Sequence, residues 1–262
     1  MRSVLGTLPL SDGFVVDVGG GSMQIARVRR RRPGPVVSLP LGGLRLAETI
    51  DNDPPSAADL TRIRRLAESS FRALGWLVAE PGDVLVVMGG SVRAMAKVDR
   101  RERRWPITHD HGYTLDEDAL LSQFEMLSRM DSKARTAVAG LAAHRVDTIV
   151  PALTVVLAVL RVLRLGSLRV SSAGVREGMV LGKAGALRSR AQVRAASLRR
   201  HLPALGPADI KAIAEGEGGA ATLVLARALH GGRSTAGALL SRPLHGFWQE
   251  ELLPAAAALG YG

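Results

Sequence analysis

Three glycine-rich turns in this chain follow short apolar runs, and their composition suits the binding of phosphate. They are DVGGGS (17–22), MGGS (88–91) and SSAGVREG (171–178). Glycine at the end of a buried strand lets backbone N–H groups approach an anion without a Cβ in the way, and a helix that begins there adds the positive end of its dipole. Because open sheets bind ligands at the carboxyl ends of their strands, the three turns predict one phosphate site at such an edge.

The first turn offers the most chemistry. Asp17 can hold a divalent cation directly or through water, and the Ser22 hydroxyl can donate to a phosphate oxygen. Side chains alternate along a strand, so Ser22 and Gln24 are predicted to share a face, with Gln24 pointing toward whatever the turn holds. We therefore select Asp17 as the metal candidate, and Asp17 and Gln24 as the catalytic candidates. The phosphate-binding candidates of this turn are Gly19, Gly20, Gly21 and Ser22.

The other two turns supply the remaining phosphate-binding candidates, which are Gly89, Gly90, Ser91, Arg93, Gly174 and Arg176. Two of these have alternative roles that the sequence leaves open. Arg176 either reaches a phosphate or only pairs with Glu177 at the start of a helix. The same choice between a ligand and a structural side chain is open for Arg93.

Several other polar groups are interpreted as structural. The motif His-Asp-His (109–111) has a spacing that metal ligands use, but no third ligand is obvious, and we expect a solvated loop there. The arginines within 27–32 are expected to form a solvated hairpin tip, although their charge could guide a polyanion. Arg145 and Asp147 are expected to serve packing at a helix start and pairing at the surface.

The elements that must position these turns follow an α/β order. Apolar or alternating runs predict strands at 13–18, 22–30, 35–41, 83–90 and 167–174, with PGP (33–35) as a turn. Helical spacing predicts helices at 43–50, 57–78, 91–98, 115–129, 131–139 and 144–164, and a helix start at 175–182. The apolar run 149–160 is expected to be a buried core helix, and residues 99–114 a charged loop. Helical patterning continues in the Arg-rich segment 187–200 and is weak beyond 220.

Composition limits the function classes. The excess of 35 Lys and Arg over 24 Asp and Glu gives a net charge of +11, and such a charge attracts polyanions. Either this charge serves a polyanionic ligand, or the arginines only reflect a compositional bias of the genome. Aromatic residues make up only 3%, so we do not expect a nucleic-acid partner that stacks its bases. No apolar run reaches the roughly 18 residues of a membrane helix, and no signal peptide is evident. The absence of cysteine excludes disulfides and thiolate zinc sites, and we expect a cytoplasmic location.

Six collinear segments resemble the exopolyphosphatase/guanosine pentaphosphate phosphatase (Ppx/GppA) family. VDVGGGSMQ (16–24) resembles the family's second phosphate motif, D-[IV]-G-G-G-S-x-[EQ]. The other five are SLPLGGLRLAE (38–48), VVMGGSVRAMA (86–96), HGYTL (111–115), GLAAHRVDTIVPAL (140–153) and VSSAGVREGMVLG (170–182). The resemblance covers residues 3 to about 186, and several motifs in the family's order make it specific.

The resemblance implies a fold and an activity. The expected fold is an α/β, ribonuclease-H-like (actin-like ATPase) lobe over 1–186, the family's second lobe, followed by a mainly helical C-terminal region over 187–262. Family members remove the terminal phosphate of polyphosphate or of guanosine pentaphosphate. Mg²⁺ neutralises charge in that reaction, glycine loops cradle the phosphates, and a Glu activates the attacking water. The resemblance therefore implies a phosphoanhydride hydrolase with Mg²⁺ as its cofactor.

The sequence departs from the family in two ways. The family's first lobe, with the E-x-E-A-R segment that supplies the proposed catalytic Glu, does not precede Met1. Either the sequence starts at an internal Met of a longer protein, which we favour, or it is a stand-alone second lobe. The second departure is Gln24, where the family usually has Glu. The amide of a Gln can orient a water but cannot accept its proton.

These departures predict impaired hydrolysis. The alternative from a different class is a non-catalytic module that binds phosphate or a nucleotide as a sensor. An isolated lobe would also expose a cleft face through which it could form a homodimer.

Overall fold

A computed structural model describes residues 1–174, 189–203, 205–216 and 241–258. Its strands are β1 (Gly13–Val18), β2 (Met23–Arg29), β3 (Arg32–Leu39), β4 (Val84–Met88), β5 (Thr114–Asp116) and β6 (Ser167–Ser171). Within the described ranges they form one mixed sheet in the order β3-β2-β1-β4-β6-β5. The first three strands are antiparallel neighbours, β4 and β6 run parallel to β1, and β5 is antiparallel to β6. The expected α/β class is confirmed.

The chain divides into two units. The first, here called the sheet unit, comprises Ser11–Arg103 and Thr114–Ser172, and the second, the helical unit, comprises Met1–Leu10, Arg104–Tyr113 and Ala173–Gly262. The helices of the sheet unit are α2 (Gly43–Ala47), α3 (Ala57–Arg72), α4 (Gly90–Glu102), α5 (Glu117–Ser128), α6 (Ser132–Arg135) and α7 (Ile149–Leu163). Those of the helical unit, within its described residues, are α1 (Arg2–Thr7), α8 (Arg190–His201), α9 (Pro207–Glu215) and α10 (Gln249–Ala258). The boundary at residues 186 and 187 stays a prediction.

The core of the sheet unit is built around α7. Every residue from Ile149 to Leu160 is buried, which confirms the predicted core helix. Pro151 is tolerated because it lies in the first turn, where a backbone N–H has no partner within the helix. The helices α3 and α5 pack against α7. Since α7 is covered on several sides, its sequence is almost continuously apolar rather than amphipathic.

The third strand corrects one prediction. PGP (33–35) does not form a turn, because β3 already begins at Arg32. Its prolines are tolerated since β3 is the edge strand of the sheet, where a missing N–H removes no necessary hydrogen bond. The chain reverses instead at Arg30 and Arg31, which adopt left-handed φ values of 47° and 60°.

Other boundaries also differ from the predictions. The strand β5 was not predicted, because three residues are too few for an alternating pattern, and it forms by pairing with the edge of β6. The helix α4 extends four residues into the predicted loop, to Glu102. The predicted helix at 144–164 begins only at Ile149, after a 3₁₀ turn at Ala143–Arg145.

The helical unit has an apolar core of its own. One buried cluster contains Leu198, Leu202, Ile210, Ile213, Leu244, Phe247 and Leu252. Arg194 of α8 is only 1% exposed, donates to the carbonyls of Gly216 and Gly246 at 2.9 and 2.8 Å, and lies 4.2 Å above the ring of Phe247. This Arg therefore packs within its unit. In the described part of the chain, no helix combines the length and the hydropathy that a bilayer crossing requires.

The His-Asp-His motif belongs to the helical unit and is not a solvated loop. His111 is 4% exposed, and Gln249 Nε2 donates to the carbonyls of His109 and His111 at 2.8 and 3.0 Å. Burial lowers the pKa of His111 to about 3, so its imidazole is neutral in the folded protein. The prediction of a solvated loop is wrong, because contacts from α10, distant in sequence, cover the motif.

Candidate phosphate-binding site

The strands that precede the three predicted turns, β1, β4 and β6, are parallel neighbours. Asp17 pairs with Met88, and Met88 pairs with Ser171, so these three residues lie side by side near the carboxyl ends of their strands. The strand ends therefore meet at one edge of the sheet, which confirms that part of the prediction. The first two turns contribute groups to this edge within the sheet unit.

A row of polar side chains crosses the sheet at this edge. Asp17 pairs with Gln24 on β2, and Gln24 pairs with Ser38 on β3. Gln24 Nε2 donates to the hydroxyl of Ser22 at 2.7 Å and to the hydroxyl of Ser38 at 3.1 Å. The predicted common face of Ser22 and Gln24 is thus confirmed. Ser38 is an addition that sequence reasoning missed, although it is the first residue of the family-like segment 38–48.

The carboxylate of Asp17 is half-buried. Burial raises its pKa, because it withdraws water from the charged form. No described residue donates a hydrogen bond to this carboxylate. A cation or a donor from a ligand would therefore stabilise its charged form. Among the residues that the structure describes, no cluster of three or more His, Cys, Asp or Glu could hold a metal ion without help from a ligand.

The first turn of α2 fixes the glycine loop Gly19–Ser22. The N–H groups of Gly43 and Leu44 donate to the first two glycine carbonyls, each at 2.9 Å, and Arg45 Nε donates to the third at 3.0 Å. In a planar trans peptide the carbonyl and the following N–H point in opposite directions. The N–H groups at positions 20, 21 and 22 therefore point away from α2. They donate to no residue in the described ranges, so they remain available to an anion.

Gly42 makes this contact between α2 and the loop possible. A Cβ at position 42 would lie 2.3 Å from the carbonyl oxygen of Gly20 and 2.3 Å from the nitrogen of Ser22, and neither backbone atom can turn aside. Gly21, by contrast, has open space around it and needs no left-handed φ. The strictest steric requirement for glycine thus lies in Gly42, whereas within the triplet a Cβ on Gly19 would lie 3.1 Å from the carbonyl oxygen of Ser22.

The second loop lies against the first. Gly89 has a φ of 119°, and a Cβ there would lie 2.5 Å from the carbonyl oxygen of Val18, so only glycine allows this approach. Gly89 caps α4 without a side-chain hydrogen bond, which leaves the first N–H groups of the helix to another acceptor. Ser91 lies buried in the first turn of α4. Its role as a phosphate ligand stays a prediction.

Arg145 contacts the start of α4. A Cβ on Gly90 would lie 1.9 Å from Arg145 Nη2, so the guanidinium occupies the space above this glycine. Burial lowers the pKa of Arg145, and the neighbouring charge of Arg93 lowers it further. No acidic side chain pairs with Arg145 in the described ranges, so the expected surface pairing is wrong for this residue. Its match to the Arg of the family-like segment 140–153 is the sequence signal that could have identified it.

Arg93 completes this cationic group. Its side chain is exposed, and its Nε lies 3.4 Å from the carbonyl oxygen of Gly89. Two guanidinium groups beside the positive end of a helix repel each other, and an anion bound between them would offset this repulsion. Arg93, Arg145 and the N-terminus of α4 therefore have the electrostatics of a phosphate site.

Other predicted polar groups lie elsewhere. Gly174 belongs to the helical unit, and Arg176 lies outside the described residues. The basic tip at 29–32 lies at the opposite end of β2 from the glycine loop, about 20 Å along the strand. Arg27 is not solvated as expected, because it is 4% exposed and forms an ion pair with Asp83 at 2.6 Å.

Comparison with known proteins places this arrangement in a family. A sequence profile of the Ppx/GppA phosphatase family matches residues 1–187. The chain belongs to the Ppx/GppA phosphatase family. The expected family is thereby confirmed.

Relatives in this family are longer. Exopolyphosphatase 1 of Mycobacterium tuberculosis (strain H37Rv) is 27% identical over 179 residues, which cover 64% of this chain and 49% of that protein. Exopolyphosphatase 1 of Mycobacterium leprae is 26% identical over 179 residues, which cover 64% of this chain and 50% of that protein. The chain thus spans about half the length of the curated relatives it matches.

Solved structures of Ppx/GppA proteins share the fold. The Ppx/GppA phosphatase of Aquifex aeolicus matches with a TM-score of 0.63 and 25% identity, over 69% of this chain and 60% of that chain. An exopolyphosphatase from Cytophaga hutchinsonii matches with a TM-score of 0.60 and 21% identity, over 70% of this chain and 61% of that chain. The expected actin-like ATPase fold is confirmed by these matches.

Proposed function

We propose that this chain binds the terminal phosphates of a phosphoanhydride chain and takes part in their hydrolysis, with polyphosphate or guanosine pentaphosphate as the substrate. The orientation of the first glycine loop carries the proposal. Since α2 binds three consecutive carbonyls of the loop, the N–H groups of Gly20, Gly21 and Ser22 are directed away from it. Backbone N–H groups are preferred donors to phosphate oxygens, and so are guanidinium groups such as that of Arg145, which pairs with no acidic side chain in the described ranges.

The side chains divide the work between binding and water positioning. Arg93, Arg145 and the N-terminus of α4 would offset the negative charge of the terminal phosphate. Gln24 Oε1 accepts no hydrogen bond from the described residues, so it can accept one from a water. Because an amide orients a water without taking its proton, we propose that hydrolysis by this chain is slow.

Asp17 is the residue that would hold Mg²⁺. Mg²⁺ is usually bound by one or two carboxylates together with the phosphates of a substrate, and a single half-buried carboxylate fits that pattern. When bound, the ion would supply further charge neutralisation during phosphoryl transfer. Since Gln24 is neutral, Asp17 is the only carboxylate in the row formed by Asp17, Gln24 and Ser38.

Release of orthophosphate from long-chain polyphosphate tests the proposal, with guanosine pentaphosphate as the second substrate. We expect slow, Mg²⁺-dependent release by the unaltered chain, and its loss in Arg145→Ala and Asp17→Asn. Arg30→Ala removes a charge at the opposite end of β2 and serves as the matched control, with an unchanged rate. A chain that neither releases phosphate nor binds tripolyphosphate in calorimetry would overturn the proposal.

A second candidate is a non-catalytic module that binds polyphosphate or guanosine pentaphosphate as a sensor. The neutral side chain of Gln24, beside Asp17, is the observation that favours it. Tight binding without any phosphate release in the same assay would support this function over hydrolysis. The cytoplasmic location and the homodimer expected from the sequence stay predictions.

A further inference from the structure

We propose that Gln24 makes the first glycine loop a phosphate site that binds its ligand without Mg²⁺. The inference rests on the proposed role of this loop and concerns how the site balances the charge of its ligand. In this inference Mg²⁺ serves the hydrolysis of the ligand and is not needed for the ligand to bind. The ligand class is the end of a phosphoanhydride chain, for which inorganic tripolyphosphate is the simplest probe.

The hydrogen-bond pattern of Gln24 is the first observation. Its Nε2 has two hydrogens, and both are used, one for the hydroxyl of Ser22 at 2.7 Å and one for the hydroxyl of Ser38 at 3.1 Å. Each hydroxyl thus accepts a bond from Gln24 and keeps its own hydrogen. In the described ranges neither hydroxyl donates to another residue, so Ser22 can donate to a phosphate oxygen beside the N–H groups of the loop.

A Glu at position 24 would reverse this pattern. An ionised carboxylate only accepts hydrogen bonds, so the hydroxyls of Ser22 and Ser38 would turn their single hydrogens toward it. Ser22 would then present lone pairs to the phosphate instead of a donor. A Glu would also place a second negative charge directly across from Asp17, its partner in the β1–β2 pair. Such a site would repel a phosphate chain until a cation bound.

The charges around the loop are the second observation. Asp17 is the single acidic group of the row, whereas three arginines among the described residues contact the two glycine loops. Arg45 Nε binds the carbonyl of Gly21 at 3.0 Å, and Arg93 and Arg145 flank the start of α4. None of these three arginines pairs with an acidic side chain in the described part of the chain. The local charge is therefore positive before any metal binds, which favours direct binding of a polyanion.

Calorimetric titration with tripolyphosphate, in excess EDTA and in excess Mg²⁺, tests the inference. For the unaltered chain we expect dissociation constants in the two conditions that agree within about threefold. Gln24→Glu is expected to bind about tenfold or more weakly in EDTA, because it loses a hydrogen bond to a charged ligand, and to recover its affinity in Mg²⁺. Gln24→Ala, which adds no charge, is the matched control and should show no recovery by Mg²⁺.

The outcomes separate this inference from the proposed function. Binding by the unaltered chain only in Mg²⁺ would overturn the inference and leave the phosphate-binding role intact. Equal affinities of Gln24→Glu and the unaltered chain in EDTA would also overturn it. Absence of binding in both conditions would overturn the inference together with the proposed function. Circular dichroism of each variant verifies that the comparison is made between folded chains.

Discussion

The substitution Gly90→Ala should separate phosphate binding from stability. A Cβ at position 90 would lie 1.9 Å from Arg145 Nη2 and 2.1 Å from its Cζ, far below the ordinary contact distance of roughly 3.5–4.0 Å. The guanidinium must therefore move, and it can do so because it is the end of a flexible side chain. Stability should be preserved, since Ala is a better helix former than Gly.

The expected loss of affinity follows from the bonds that Arg145 would no longer make. A hydrogen bond to a charged group contributes about 1.5–3 kcal/mol, so the dissociation constant for tripolyphosphate should rise about 10- to 150-fold. Calorimetric titration measures this change, and thermal denaturation measures stability. Arg145→Ala should cause a similar loss.

A double-mutant cycle shows whether the effect acts through Arg145. If it does, Gly90→Ala should cause no further loss of affinity in the Arg145→Ala background, because the two changes then remove the same interaction. Equal losses in both backgrounds would mean that the new methyl group blocks the ligand itself. That result would show that Gly90→Ala does not act through Arg145, whereas an unchanged affinity of the folded Arg145→Ala chain would refute the assignment of Arg145 to the site.

Three other changes test the surrounding structure. Gly42→Ala should weaken tripolyphosphate binding and lower the melting temperature, because its Cβ would meet backbone atoms, whereas Gly21→Ala, with open space around it, should leave the melting temperature unchanged. Asp83→Ala should lower the free energy of unfolding in urea by about 3–5 kcal/mol, since it leaves the buried Arg27 of β2 without its ion-pair partner. A loss below about 1 kcal/mol would contradict this expectation. Burial lowers the pKa values of His111 and His245 to about 3 and about 4, below the value of about 6.5 in an unfolded chain. The unfolded chain therefore binds more protons below about pH 6.5, so the urea midpoint should fall as the pH decreases from there toward about 4, and His111→Gln should reduce this fall.

Much of the first loop could be predicted because its signals are local. An apolar run that ends in glycines predicted β1 with its correct bounds, Gly13–Val18. Alternation along the next strand placed Ser22 and Gln24 on one face, which the hydrogen bond between them confirms. Such signals depend on neighbours in sequence, so a single sequence contains them.

The rest of the site depends on contacts between distant segments. Ser38 joins the row through strand register, and Arg145 reaches Gly90 from a 3₁₀ turn more than fifty residues away. The direction of the loop N–H groups depends on α2, whose Gly43 and Leu44 donate to the loop, and on Gly42, which allows the close approach. The sequence predicts helices at 43–50 and 144–164, but nothing local in it indicates which glycine loop the residues of these segments contact.

Amide chemical-shift mapping by NMR during a titration with tripolyphosphate tests the central claim most directly. The largest shifts are expected at the N–H groups of Gly20, Gly21 and Ser22 and at the start of α4, since within the described ranges these groups have no acceptor at the sheet edge. If the chemical shifts of these amides stay constant and those of the arginine-rich helix α8 change instead, the assignment of the phosphate site to the glycine loops is contradicted.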